Sequence, residues 1–270
     1  MGNAYLQDFG RVDATADAPF FIRFLDAASA APSFQRYKQR TFELLGPRPG
    51  CRFLDVGCGT GDDARALARL VAPTGRVIAI DASGDMINEA RRRAEGNGLP
   101  LEFRVADALA LPFDADQFDG CRCDRSLMHM PDPGQALREM IRVARSGAPV
   151  VLYEVDFETI TLDVPCRDLA RRIVRFWCDS FRDGWLGRRL PNQCRELGLT
   201  DVHVEPVAVV LPYAGVAELV LGAETVRRAE AAAVISPEEG ANWLALLARQ
   251  HADGRFLATL TGFLVWGRKP

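Results

Sequence analysis

One run constrains this chain more than any other: Phe53-Leu54-Asp55-Val56-Gly57-Cys58-Gly59-Thr60-Gly61-Asp62-Asp63. Apolar residues lead into an acid, glycine then takes every second position, and two further acids follow. That order predicts a buried strand, a tight turn and a helix N-terminus. Glycines in such a turn let the backbone approach a nucleotide-like ligand with no Cβ in the way. Strand–turn–helix units of this kind pack as layers of helix on a largely parallel sheet.

The charges narrow the ligand. A helix N-terminus favours anions, and pyrophosphate-binding turns use it for that purpose. Here Asp55, Asp62 and Asp63 crowd the site and would repel a phosphate. They suit a ligand with an adenosine, a sulfonium and a free amino-acid end, which describes S-adenosylmethionine. A second acid, Asp81, ends the strand-like Arg76-Val77-Ile78-Ala79-Ile80. Past such a turn, an acid about 20 residues on is where a ribose diol is held. Asp107 ends a third segment, 101–106, whose alternation reads as a half-buried strand. Each acid alone reads equally well as a helix cap; three in register behind this turn point to the ligand.

The order of elements supports a doubly covered sheet. A helix is expected over 33–46, then strands at 51–57, 76–81, 101–106, 118–123 and 148–155. Between them fall helices at 62–72, from Ser83 to the Gly96-Asn97-Gly98 stop, and at 134–145. Ala64, Leu67, Ala68 and Val71 form an i, i+3, i+4, i+7 stripe. Strands alternating with helices imply right-handed crossovers and helices on both faces. The second half reads as helices near 164–182 and 188–197, a strand at 201–211, a helical stretch at 214–251 broken at Ser236-Pro237, and a last strand at 256–267.

At this point the chain resembles the class I S-adenosylmethionine-dependent methyltransferases, in the branch that includes the ubiquinone and menaquinone biosynthesis C-methyltransferases. The resemblance rests on LDVGCGTG (54–61), VIAIDAS (77–83), VADALALPF (105–113), FDGCRCDRSLMHMPDP (118–133) and GAPVVLYEVD (147–156). It implies a Rossmann-like, seven-stranded, mostly parallel sheet whose last two strands are antiparallel neighbours. Such neighbours are normally joined by a short turn, whereas here a helical insertion separates them. That insertion reads as a lid, or else as a solvent-facing decoration. The expected organisation is an N-terminal helical cap segment, 1–45, and a cofactor-binding domain, 46–270, with cap insertions at about 157–190 and 213–252. The three together are expected to enclose an apolar pocket.

The cofactor is expected across Asp55, Gly57, Gly59 and Gly61, with Asp81 and Ala82 at the ribose. Met86, Asp107 and Ala108 are expected at the adenine, and Arg125 either closes over the cofactor or pairs with Asp124. The resemblance places His129 beside the sulfonium pocket, where a neutral imidazole could take a proton from the acceptor. Glu154 and Asp156 share one face of the fifth strand's end. Either could position an acceptor, or form an ion pair with Arg188 or Arg189. His129 and Glu154 are the candidate catalytic residues.

Composition excludes several alternatives. Net charge is −3 and no basic stripe is evident, so no nucleic-acid partner is expected. Seven cysteines without a C-x-x-C pair and three scattered histidines give no expected metal site. The N-terminus lacks the pattern of a signal peptide and no apolar run reaches membrane-spanning length, so a cytoplasmic protein, monomer or homodimer, is expected. The leading function is methyl transfer to O, N or C of a small, largely apolar metabolite. The alternatives are a non-methylating reaction on the same scaffold, such as a cyclisation, or a regulatory protein.

Overall fold

Burial fixes the centre of the sheet first. In the computed structural model, which describes residues 5–15 and 17–270, β1 (Arg52–Val56) and β2 (Arg76–Asp81) bury Leu54, Val56, Val77, Ala79 and Ile80 almost completely. Strands covered on both faces read as continuous apolar runs, and these do. The glycine turn then leads into α3 (Asp62–Val71), whose Ala64, Leu67, Ala68 and Val71 are all buried. Next come α4 (Gly84–Ala94), β3 (Leu101–Val105), β4 (Gly120–Asp124) and α5 (Pro133–Val143). Helix starts follow side-chain caps: Ser83 Oγ accepts from Met86 N at 3.1 Å, and Asp132 accepts from Gln135 N at 2.8 Å.

The seven strands run in the order β3-β2-β1-β4-β5-β7-β6, with β5 (Pro149–Leu162), β6 (Thr200–Val210) and β7 (Ala258–Arg268) completing the sheet. β7 is antiparallel to both neighbours and the other pairings are parallel. Strand order reverses between β1 and β4, so their carboxyl ends open a crevice.

One strand exceeds its expected length. β5 was expected to stop at residue 155 but runs to Leu162, through a register shift between Asp156 and Thr161. The extension keeps its partner because Thr159 Oγ1 accepts from Thr261 N at 2.9 Å. It carries Phe157 and Ile160 past the sheet's carboxyl edge.

Further helical segments precede β1, follow β5 and separate β6 from β7. A 3-10 segment (Leu6–Ala14), α1 (Ala18–Ala30) and α2 (Pro32–Leu45) precede β1. Of the expected cap segment 1–45, residues 1–4 and 16 lie outside the described residues. Tyr37 of α2 stacks on Tyr153 of β5, ring centroids 3.8 Å apart. α6 (Arg167–Asp179) and α7 (Leu186–Glu196) follow β5. Between β6 and β7 lie α8 (Tyr213–Gly215), a π-helical turn (Val216–Val220), α9 (Ala223–Ala231) and α10 (Pro237–Ala252). Trp243 of α10 is fully buried and its indole N–H donates to Leu221 O at 2.8 Å, which ties α10 to the π turn. Trp243→Ala is expected to cost about 3–5 kcal/mol in urea unfolding, through the cavity and the orphaned carbonyl. An unchanged midpoint would mean that this insertion contributes nothing to the cooperative core.

Candidate active site

The glycine turn sits at the reversal of strand order. Gly57, Gly59 and Gly61 all have positive φ, at 70°, 51° and 75°. A Cβ on Gly57 would fall 2.2 Å from Ser126 Oγ, and one on Gly59 2.9 Å from Leu25 Cδ1. Both face a cavity of about 560 Å³, within the ~300–1,000 Å³ of small-molecule sites. Gly61 does not line it. A Cβ there would meet Phe103 Cε1 at 2.5 Å, so the third glycine lets α3 pack on the sheet and does not reach the cavity.

Asp81 links two turns. Its Oδ2 accepts from Gly59 N and its Oδ1 from Ser83 N, both at 2.9 Å. Burial holds its carboxyl above the usual range despite these donors. Ala82, Ser83, Met86, Asp107 and Ala108 continue the same wall. Asp107 Oδ1 also accepts from Leu109 N at 2.9 Å, which shapes its own turn.

The 3-10 segment closes over this wall. Asp13 Oδ2 accepts from Gly84 N at 2.7 Å and Oδ1 accepts from the Ser83 hydroxyl, so a residue from the N-terminal cap occupies the start of α4. Three residues earlier, Gly10 passes so close that a Cβ would lie 2.7 Å from His129 O. Phe9 packs on the His129 ring at 5.5 Å and Phe181 on it at 6.2 Å. From α1, Asp26 pairs with Arg93 of α4 at 2.6 Å.

The candidate catalytic residues separate. His129 lines the cavity at the end of a 3-10 turn (Leu127–His129). Burial, with the nearby Arg125 charge, pushes its imidazole down to about 4, so it is neutral near pH 7. Glu154 is 0% exposed and absent from the cavity wall. Its Oε1 accepts from Leu127 N at 2.7 Å, Oε2 has no partner, and burial pushes the carboxyl up to about 8. Asp156 forms a two-pronged pair with Arg188, one contact at 2.8 Å, which matches the ion-pair reading of this strand end. Arg125, at φ 53°, lines the cavity while its Nε donates to Asp124 Oδ1 at 3.2 Å and Phe34 lies 4.8 Å beneath it.

The expected crowd of negative charge is a correction. Asp62 pairs with Arg65 and does not line the cavity. Asp55 and Asp63 bond to Arg122 at 3.0 and 2.7 Å, and Asp63 also to Lys38. The acids are therefore compensated, with one exception: Asp55 Oδ2 is buried without a hydrogen-bond partner. Sequence reading missed Asp13, Lys38 and Arg122. Of these Arg122 alone carried a signal, a charge inside the strand Gly-Cys-Arg-Cys-Asp. Asp13 and Lys38 sit in polar surroundings that mark no site.

Among the described residues no three His, Cys, Asp or Glu side chains converge as metal ligands, and no helix is long and apolar enough to cross a membrane. Comparison with known proteins identifies a methyltransferase domain over residues 47–182. The chain is 36% identical over 259 residues to an uncharacterized 37.1 kDa protein in transposon TN4556 of Streptomyces fradiae, spanning 95% of this chain and 73% of that one. It is 34% identical over 200 residues to the demethylmenaquinone methyltransferase of Halalkalibacterium halodurans, spanning 67% and 82%. Among solved structures it is similar in fold to the [4+2]-cyclase SpnF, with TM-score 0.56, 23% identity and coverage of 87% and 80%. It is similar also to Haemonchus contortus phosphoethanolamine N-methyltransferase 2 in complex with S-adenosyl-L-methionine, with TM-score 0.56, 18% identity and coverage of 87% and 53%. A glycine turn at the strand reversal, the motifs in order and relatives of this identity together place the chain in the class I S-adenosylmethionine-dependent methyltransferases, in the branch similar to those of quinone biosynthesis.

Proposed function

We propose that this enzyme, acting in the cytoplasm, methylates an oxygen, nitrogen or carbon nucleophile on a small, largely apolar metabolite. One observation carries the reading: the cavity wall is divided. Asp13, Lys38, Asp55, Asp81, Asp107, Arg122 and Arg125 line it from the cap and from the ends of β1, β2, β3 and β4. From β5 onward the wall is Val155, Phe157, Ile160, Trp177, Phe181, Leu219 and Leu260, without a titratable side chain. Apart from Arg125 at its border, already paired with Asp124, that half offers a phosphorylated acceptor no cation, whereas an apolar body fits it.

The polar half fits the cofactor. Gly57 and Gly59 leave room for a close ligand, Asp81 and Ala82 stand where the ribose would lie, and Met86, Asp107 and Ala108 border the adenine position. Asp55 Oδ2 is a buried acceptor awaiting a donor, as an amino group would supply. Arg125 bounds the site toward the acceptor. When bound, the sulfonium supplies an activated methyl group and a good leaving group. The protein's part is then alignment and exclusion of water, which supply much of such an acceleration.

His129 stands at the border between the two halves and is assigned the acceptor's proton. Glu154 acts beneath it as a positioning residue, since it holds the Leu127 amide of the turn that carries His129. Release of S-adenosylhomocysteine with a methylated lipophilic phenol, amine or hydroquinone, undiminished by EDTA, is the expected result. Turnover of an apolar substrate without S-adenosylhomocysteine would establish the cyclisation alternative, and a phosphorylated acceptor preferred over apolar ones would refute the division of the wall.

The pH dependence has a defined sign. A histidine whose folded value is about 4, against ~6.5 unfolded, contributes stability above the unfolded value that is lost as pH falls toward the folded one. A proton resonance of His129 should titrate near 4, and activity on hydroxyl acceptors should show no rise from this group between pH 6 and 8. His129→Ala should lower kcat by about a hundredfold with cofactor affinity unchanged. Retention of full turnover makes the histidine structural.

The N-terminal closure gives a separate test. Asp13→Ala removes acceptors from the Ser83 hydroxyl and the Gly84 amide. Amide exchange of Leu6–Ala14 should accelerate, and cofactor should dissociate about tenfold faster, in line with loss of one or two charge-assisted bonds. Equal dissociation rates would show that this segment does not retain the cofactor.

A further inference from the structure

Arg122 lies where a charge is least expected, in the middle of a parallel strand and 2% exposed. Every arm of its guanidinium is used. Nη1 donates to Asp55 Oδ1 at 3.0 Å, Nη2 to Asp63 Oδ2 at 2.7 Å and to Asp124 Oδ2 at 2.9 Å, and Nε to Thr41 Oγ1 at 3.0 Å. The Phe42 ring covers its face at 5.5 Å. Lys38 bonds to Asp63 and lies 3.4 Å from Asp124. Tyr37 donates to Asp124 Oδ1 at 3.1 Å. Buried ion clusters of this kind seldom stabilise a fold more than apolar packing would, and cysteines flank the position on the same strand.

The cluster leaves one thing unfinished. Asp55 is 1% exposed and lines the cavity, yet its Oδ2 has no hydrogen bond, because Arg122 holds the opposite oxygen. We infer that Arg122 is a positioning residue for the amino-acid end of the cofactor: it pins Asp55 by one oxygen so that the other faces the cavity as the seat of an ammonium group. The same guanidinium ties up Asp63 and Asp124, so that no second acceptor competes for that group. Lys38 and Arg125 complete the balance at the carboxylates' outer side and stand near enough to oppose a ligand's own carboxylate.

The inference rests on the S-adenosylmethionine reading and is independent of the acceptor. Its test compares two ligands that differ in the relevant part. S-adenosylhomocysteine carries the amino-acid end; 5′-methylthioadenosine has the same adenosine and a thioether without it. Calorimetry on Arg122→Lys, which keeps the charge and loses the fork, should show S-adenosylhomocysteine weakened by about tenfold or more and 5′-methylthioadenosine within about twofold of wild type. Asp55→Asn should weaken S-adenosylhomocysteine similarly, and the double variant should be no worse than the worse single one, as expected of groups acting as a unit. Should Arg122→Lys fail to fold, Thr41→Val removes one of its tethers and should give the same selective loss at smaller size, about threefold. Equal losses for both ligands, or none for S-adenosylhomocysteine, would overturn the assignment. A wild-type chain that binds neither ligand would fail the cofactor reading, and the inference with it.

Discussion

The site depends on the Asp81 carboxylate. Each of its oxygens accepts a backbone N–H from a different turn, one from Gly59 after β1 and one from Ser83 after β2. Those turns belong to separate strand–helix units, so a single side chain sets their spacing at the sheet's carboxyl edge. Backbone donors of this kind favour the ionised form, while burial opposes it. Asp13 reaches the same Ser83 from the N-terminal segment. The cap is thereby referenced to the same point as the floor it covers.

Two kinds of surface meet in one cavity because two kinds of chain segment build it. The turns after β1, β2 and β4 bring charged residues, since strand ends must satisfy exposed backbone groups and helix starts. The extension of β5, the α6 helix and the β6–β7 insertion bring aromatic and aliphatic side chains that continue the main core up to the cavity. Phe157, Trp177 and Phe181 pack as edge-to-face and tilted rings at 4.2–4.8 Å. Rings fixed by each other form a stiff wall, which suits the alignment that methyl transfer needs.

The core of this arrangement was legible in the sequence because it is local. The glycine turn, the strand-end acids Asp81 and Asp107 and the α3 stripe follow from neighbours a few residues apart. The insertion between the last two strands was legible through the family resemblance, which makes those strands neighbours. What escaped is long-range. The run Phe157-Glu158-Thr159-Ile160-Thr161-Leu162 is strand-like, but its apolar positions change phase between Phe157 and Ile160, and the register shift and the partner Thr261 that explain the change lie about a hundred residues away. The grouping of Asp55, Asp62 and Asp63 as one negative site failed largely for the same reason: Arg122 and Lys38 reach Asp55 and Asp63 from another strand and another helix, while Asp62 pairs with Arg65 within α3. Gly61 and Glu154 were placed in the site by spacing, and packing against Phe103 and beneath Leu127 moved them out of it.

The last consequence concerns charge at the border between the halves. His129, held near 4, and Glu154, pushed to about 8, are both neutral at pH 7 chiefly through burial, with the Arg125 charge also acting on His129 and that of Asp124 on Glu154. Asp124 is bonded to Arg122 and Arg125, so its charge is spent inside the wall. A methyl donor that is a cation has its charge concentrated before transfer and spread during it. A border with a free carboxylate would stabilise the concentrated form most and so raise the barrier. The border here presents an uncharged imidazole and apolar rings beside an Arg125 already paired with Asp124. Of the buried carboxyl oxygens without a partner among the described residues, Glu154 Oε2 lies off the cavity wall, and Asp55, at the end of β1, is the one that lines it. On the proposed placement of the cofactor, attraction for it lies at a distance from the atoms that react, where it adds to binding without holding back the transfer.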